Sequence, residues 1–170
     1  MKSKSIFVVA LVFLIQSLFL PISHGDADLI KQTCRHTPDQ HLCVSSLIAD
    51  PRSASADVTG LALIMVDVVK AKATECANRI DHLLKHRPGD QALSNCKRIY
   101  NVVLTADVTV AVEALTNGNL KFAEQSMDDI ATFEAVLCED GFTGTSPMTD
   151  LNNASQKLGA VAAAIVRLLL

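Results

Sequence analysis

In ADVTGLALIMVDVVKAKATECANRIDHLL, residues 56–84, the side chains Leu61, Met65, Val69, Ala73, Cys76, Ile80 and Leu83 recur at steps of three and four. A helix completes a turn in about 3.6 residues, so this spacing lines all seven along one face. Three later stretches repeat the pattern. From about Asp90 to Leu115 the stripe is Leu93, Cys96, Tyr100, Val103, Ala111 and Leu115. From Leu120 it is Ala123, Met127, Ile130, Phe133 and Leu137, and from Asp150 to Leu169 it is Leu151, Ala154, Leu158, Val161, Ile165 and Leu168. No stretch sustains a period of two, so no sheet is expected. Arg87-Pro88-Gly89, Asn117-Gly118-Asn119 and the segment from Gly141 to Pro147 break one helix from the next. Gly60 counts against the start of the first of these helices. Thr149 is placed to cap the last helix, with Asn152 at the capping-box position. Long amphipathic helices joined by short turns predict an all-α fold, an antiparallel up-down four-helix bundle over 52–170. Upstream, 26–51 carries two shorter apolar segments separated by Thr37-Pro38, which reads as an N-terminal helical hairpin.

The first 25 residues have a different logic. Lys2 and Lys4 precede an apolar run from Ile6 to Leu20, and Ser23-His24-Gly25 supplies small residues before a cut ahead of Asp26. That is the pattern of a removable secretory signal, and the run is short for a membrane span of about 20 residues. No later run is expected to reach membrane length. Without these residues, thirteen basic groups face eighteen acidic ones, a net charge of −5. The expected destination is outside the cell, in the apoplast or cell wall, with the vacuole as the other acidic option.

Composition narrows the function. The chain is 49 % apolar and 19 % charged, so it is neither disordered nor a charged coiled coil. An acidic chain without a basic run is poorly suited to grip nucleic acid. With 4 % aromatic residues and no Trp, it offers no stacking platform for bases. No glycine-rich phosphate loop, Gly-x-Ser-x-Gly motif or Glu-x-x-His pair occurs, so no enzyme, cofactor or metal site is expected. His82 and His86 have the spacing of a metal pair but no third ligand, and fit a solvated helix end better. Asp128-Asp129 point in different directions and do not make an acid/base pair.

Five cysteines permit fifteen two-bridge arrangements. Cys34 and Cys43 flank the turn of the small hairpin. Cys96, early in the second bundle helix, and Cys138, late in the third, fall at one end of an antiparallel pair. Cys76 lies on a core stripe and is left as a free, buried thiol. Asn153-Ala154-Ser155 is a candidate N-glycosylation acceptor, with Ala154 on the inward stripe.

The remaining oddity is Asn117-Gly118-Asn119-Leu120-Lys121-Phe122, where a Leu and a Phe flank a Lys directly after a turn glycine. A hydrophobic staple fixing the entry of the third helix explains it without invoking function. A protruding apolar–cationic–apolar plug for an acidic cleft explains it with one.

Several stretches together resemble the plant invertase inhibitors, within the invertase/pectin methylesterase inhibitor family. They are Thr33-Cys34 through Cys43, Asp50-Pro51-Arg52-Ser53-Ala54, Leu61 to Asp67 with Lys70-Ala71-Lys72-Ala73, Asn95-Cys96 to Tyr100, Glu113 to Gly118, Lys121-Phe122-Ala123-Glu124 and Ala164-Ile165-Val166-Arg167. The resemblance covers the chain beyond the signal segment. It implies a four-helix bundle with an N-terminal hairpin, and disulfides Cys34–Cys43 and Cys96–Cys138 with Cys76 as the extra cysteine. It also implies that the tip enters the sucrose cleft of an acid invertase, a β-fructofuranosidase. There a lysine ammonium can face the paired carboxylates of a glycosidase while Phe122 fills apolar space. The family motif is Pro-Lys-Phe; this chain has Leu120 in place of the proline, and losing the fixed φ predicts a less rigid tip. Partner-binding residues are therefore Leu120, Lys121 and Phe122. Titration of carboxylates near such an interface predicts a pH-sensitive complex. The same fold could instead inhibit pectin methylesterase through helix faces. Readings of other kinds are a secreted helical carrier of a small apolar ligand, which well-filled stripes disfavour, and a structural protein linked through Cys76.

Overall fold

Three aspartates start three of the helices. The side chain of Asp39 accepts the amide of Leu42 at 2.9 Å, Asp57 that of Gly60 at 2.7 Å, and Asp90 that of Leu93 at 3.0 Å. Each satisfies one of the amides that a helix N-terminus leaves unpaired. The cap at Asp57 offsets the poor propensity of Gly60, and the helix it opens is the longest among the described residues. The computed structural model describes residues 24–170, so the expected signal segment lies outside the described residues up to position 23.

Helices α1 (His24–Cys34) and α2 (Gln40–Ile48) form the hairpin, followed by a short 3-10 turn, Pro51–Ser55. The bundle consists of α3 (Val58–His86), α4 (Gln91–Asn117), α5 (residues 120–140) and α6 (Thr149–Arg167). In the bundle α3 packs on α4 and α6, and α5 packs on α4 and α6, the cyclic neighbourhood of an up-down bundle. Among the described residues there is no strand. Leu61, Met65, Ile80, Leu93, Met127 and Ile165 fill the interior without exposed surface. Helix α2 leans on α3 and α6. Arg52 closes the junction by binding Asp50 on one side and Asp67 of α3, at 2.8 Å, on the other.

The two disulfides are Cys34–Cys43, with Cα atoms 5.6 Å apart, and Cys96–Cys138, with Cα atoms 4.7 Å apart. Cys76 is free and buried, as its place on the stripe implied.

Four expectations need correction. First, Phe133 and Leu137 are exposed at 57 % and 40 %, not inward. A π turn, Ile130–Glu134, interrupts α5 and inserts a residue, so the phase slips and Ala135 and Cys138 face the core instead. A matching π turn, Val103–Asp107, interrupts α4, and its buried positions step from Val103 to Val108. Second, Leu168 lies just beyond the end of α6 and is exposed, and Ala154 is only half-buried. Third, Thr149 is the first residue of α6 rather than its cap; its hydroxyl donates to Glu139 and to the Ser146 carbonyl. Asn152 is fully buried and serves the core: it accepts from the Tyr100 hydroxyl at 2.7 Å and donates to Glu139 at 2.7 Å. Fourth, α4, at 27 residues, is by length and composition apolar enough to cross a membrane. Here α3 and α5 flank it and a disulfide ties it to α5, so it serves as a bundle helix.

On α6, Gly159 lies where the backbones of α5 and α6 come close together. A Cβ there would sit 2.9 Å from the Met127 carbonyl oxygen and 3.0 Å from the Ala131 nitrogen of α5.

Candidate functional site

The turn between α4 and α5 begins with Gly118, whose φ of +78° is the left-handed conformation that glycine adopts without strain. The amides of Gly118 and Asn119 both return to the Ala114 carbonyl, closing α4. Leu120 then opens α5, and the Phe122 amide bonds to the Asn119 carbonyl at 3.0 Å. The expected tip is thus the first turn of a helix, held between two stapled bundle helices.

Its three residues divide. Leu120 is half-buried and packs against the core, which is the staple role. Phe122 is 62 % exposed and the Lys121 side chain 79 % exposed. Helical phase explains the split: Leu120 shares a face with Ala123 and Met127, both fully buried, whereas Lys121 and Phe122 lie off that face. Around them, Gly118, Asn119, Leu169 and Leu170 complete a shallow depression of about 330 Å³.

Behind the tip lies a charged chain. The Lys121 ammonium is 3.4 Å from Glu124, whose carboxylate is mostly covered. Arg167 of α6 binds the same carboxylate at 2.7 Å and Asp128 at 2.6 Å. Glu124 is therefore satisfied by Arg167, and the long, exposed Lys121 contact adds little, so the ammonium is free to meet an external acid at small cost. The arrangement offers one exposed positive charge and one exposed aromatic ring on the first turn of a helix. It contains no nucleophile paired with a base. Among the described residues, no group of three or more His, Cys, Asp or Glu side chains is arranged to hold a metal ion.

The other singled-out residues fall elsewhere. His82 and His86 are exposed near the end of α3, their ring centroids 5.1 Å apart. The Cys76 sulfur lies 3.4 Å from the Ser155 hydroxyl and 3.9 Å from the Leu151 carbonyl. Burial pushes its thiol up, which keeps it protonated and unreactive. Asn153 is exposed on α6, but Ser155 of the same triplet is buried against Cys76 and Tyr100. Any glycan on Asn153 must be added before α6 packs.

Sequence reasoning missed the polar cluster of Cys76, Tyr100, Asn152, Ser155 and Glu139, which links all four bundle helices through side-chain bonds. Its signal was visible as polar residues at inward positions of α6. Also missed were Asp107 and Glu134, which lie in phase with the stripes of α4 and α5.

Comparison with known proteins follows the same lines. Residues 28–165 match the family described as plant invertase/pectin methylesterase inhibitor. The cell wall/vacuolar inhibitor of fructosidase 1 of Arabidopsis thaliana is 46 % identical over 142 residues, covering 83 % of this chain and 69 % of that protein. A pectinesterase inhibitor of Actinidia deliciosa is 29 % identical over 168 residues, covering 92 % of this chain and 87 % of its own. A mutant form of a pectin methylesterase inhibitor from Arabidopsis, solved as a crystal structure, superposes with a TM-score of 0.68 at 19 % identity. It covers 83 % of this chain and 97 % of that one, and it speaks to the fold alone. With its four-helix bundle, hairpin and paired disulfides, the chain belongs to the plant invertase/pectin methylesterase inhibitor family.

Proposed function

We propose that this protein is a secreted, non-catalytic inhibitor of acid invertase, which blocks the substrate cleft with Lys121 and Phe122. The observation that carries the reading is the exposed cation–aromatic pair on the first turn of α5, backed by Leu120 in the core and Arg167 behind Glu124. A glycosidase cleft lined by carboxylates is a natural receptor for an ammonium. The relative named as an inhibitor of fructosidase, at 46 % identity, supports the same target class and a cell-wall or vacuolar setting. Leu120 takes the place of a proline, and its side chain anchors the turn to the core, which compensates in part for the lost φ restraint.

Inhibition of pectin methylesterase is the second reading, favoured by the relative named as a pectinesterase inhibitor. Titrating an acid invertase and a pectin methylesterase separately with the purified protein decides between them. Loss of invertase activity with an untouched pectin methylesterase is the expected result; the reverse pattern overturns the proposal.

A further inference from the structure

The π turns of α4 and α5, Val103–Asp107 and Ile130–Glu134, lie against one another. A π turn is rare in a helix and often marks a functional position. Here each one ends on a carboxylic acid. The Asp107 Oδ2 and Glu134 Oε2 atoms are both covered from solvent, and neither has a hydrogen-bond partner. A covered carboxylate oxygen without a donor is costly when charged, and far less so when protonated.

The charges acting on the pair are also acidic. Asp129 of α5 acts on both, and Asp107 acts on Glu134. Helix α3 packs on the first π turn and α6 on the second, and the charges named as acting on the pair, Asp107 and Asp129, come from α4 and α5 themselves. Burial first, then the neighbouring carboxylates, pushes Asp107 up to about 6 and Glu134 up to about 7.

We propose that the facing π turns form a proton-operated latch: protonation of Asp107 and Glu134 lets the middle of α4 and α5 pack shut, and their ionisation loosens it. The direction follows from linkage. Both groups hold protons more tightly in the folded chain than unfolded, where they titrate near about 4. Between about pH 4 and 7 the folded state binds more protons, so stability falls as pH rises through that window and levels off above it. The bundle is therefore tightest in mildly acidic surroundings. This stands on the π turns and the orphan oxygens, independently of which enzyme the protein inhibits.

Thermal unfolding of the wild type and of Asp107→Asn/Glu134→Gln at pH 5 and pH 7.5 tests the latch. The wild type is expected to melt several degrees higher at pH 5. The double variant is expected to lose most of that difference and to exceed the wild type at pH 7.5. Every ionisable group other than Asp107 and Glu134 is common to the two proteins, so its contribution cancels in the comparison. Amide hydrogen exchange on the wild type keeps the test open if the variant folds poorly. After correction for intrinsic rates, residues 103–107 and 130–134 are expected to exchange about tenfold faster at the higher pH. Equal pH dependence in the two proteins, or protection of these segments that ignores pH, overturns the proposal.

Discussion

Gly159→Ala is the substitution for which the packing makes an unusual prediction of sign. In an ordinary helix interior, alanine stabilises relative to glycine by about 1 kcal/mol. Here the new methyl would press on the Met127 carbonyl at 2.9 Å and the Ala131 nitrogen at 3.0 Å. Both are backbone atoms of α5 at the entry to its π turn, and they cannot rotate away. Overpacking costs typically about 1–3 kcal/mol, and the backbone contacts place this site at the upper end. The net loss is then about 2 kcal/mol. For a chain of this size that corresponds to a melting point lower by about 6 °C. Calorimetry, with a guanidinium titration to check that the slope is unchanged, measures it directly. A melting point equal to or above that of the wild type would show that α5 and α6 are not in backbone contact at this position, and the phase assigned to α6 would be wrong.

Other predictions concern the staples and the buried polar cluster. Replacing Cys96 and Cys138 together by alanine releases a loop of 42 residues, and loop entropy sets the loss at about 4 kcal/mol. The same change at Cys34 and Cys43 releases only 9, for about 3 kcal/mol; denaturant titrations that reverse this order contradict the account. Tyr100→Phe leaves Asn152 and Ser155 without the hydroxyl they share. Such a buried loss costs about 1–3 kcal/mol, and an unchanged midpoint would mean the cluster is not closed.

The helices, their turns and the disulfide ends were legible in the sequence because each rests on local pattern: a three–four stripe, a glycine or proline break, a cysteine at a known height on its helix. What the stripe could not show is where the period itself changes. A constant step places Phe133 and Leu137 inward; one inserted residue at the π turn of 130–134 rotates both to solvent. The clue was an acidic residue on each stripe, Asp107 and Glu134, which a uniform helix leaves unexplained. Likewise Asn152 carried the composition of a cap, but only the neighbouring Tyr100 and Glu139, distant in sequence, make it a core residue. In the tip, by contrast, phase alone separates Leu120 from Phe122: one continues the stripe of Ala123 and Met127, and the other does not.

The inhibitor reading itself rests on Lys121 and Phe122. Replacing both by alanine leaves the core and the Arg167–Glu124 pair intact, so the variant should melt with the wild type. Its dose–response against an acid invertase tests the reading most directly. A loss of inhibition of a hundredfold or more, equivalent to about 3 kcal/mol, is the expected result. Inhibition equal to that of the wild type would mean that another face of the bundle meets the enzyme.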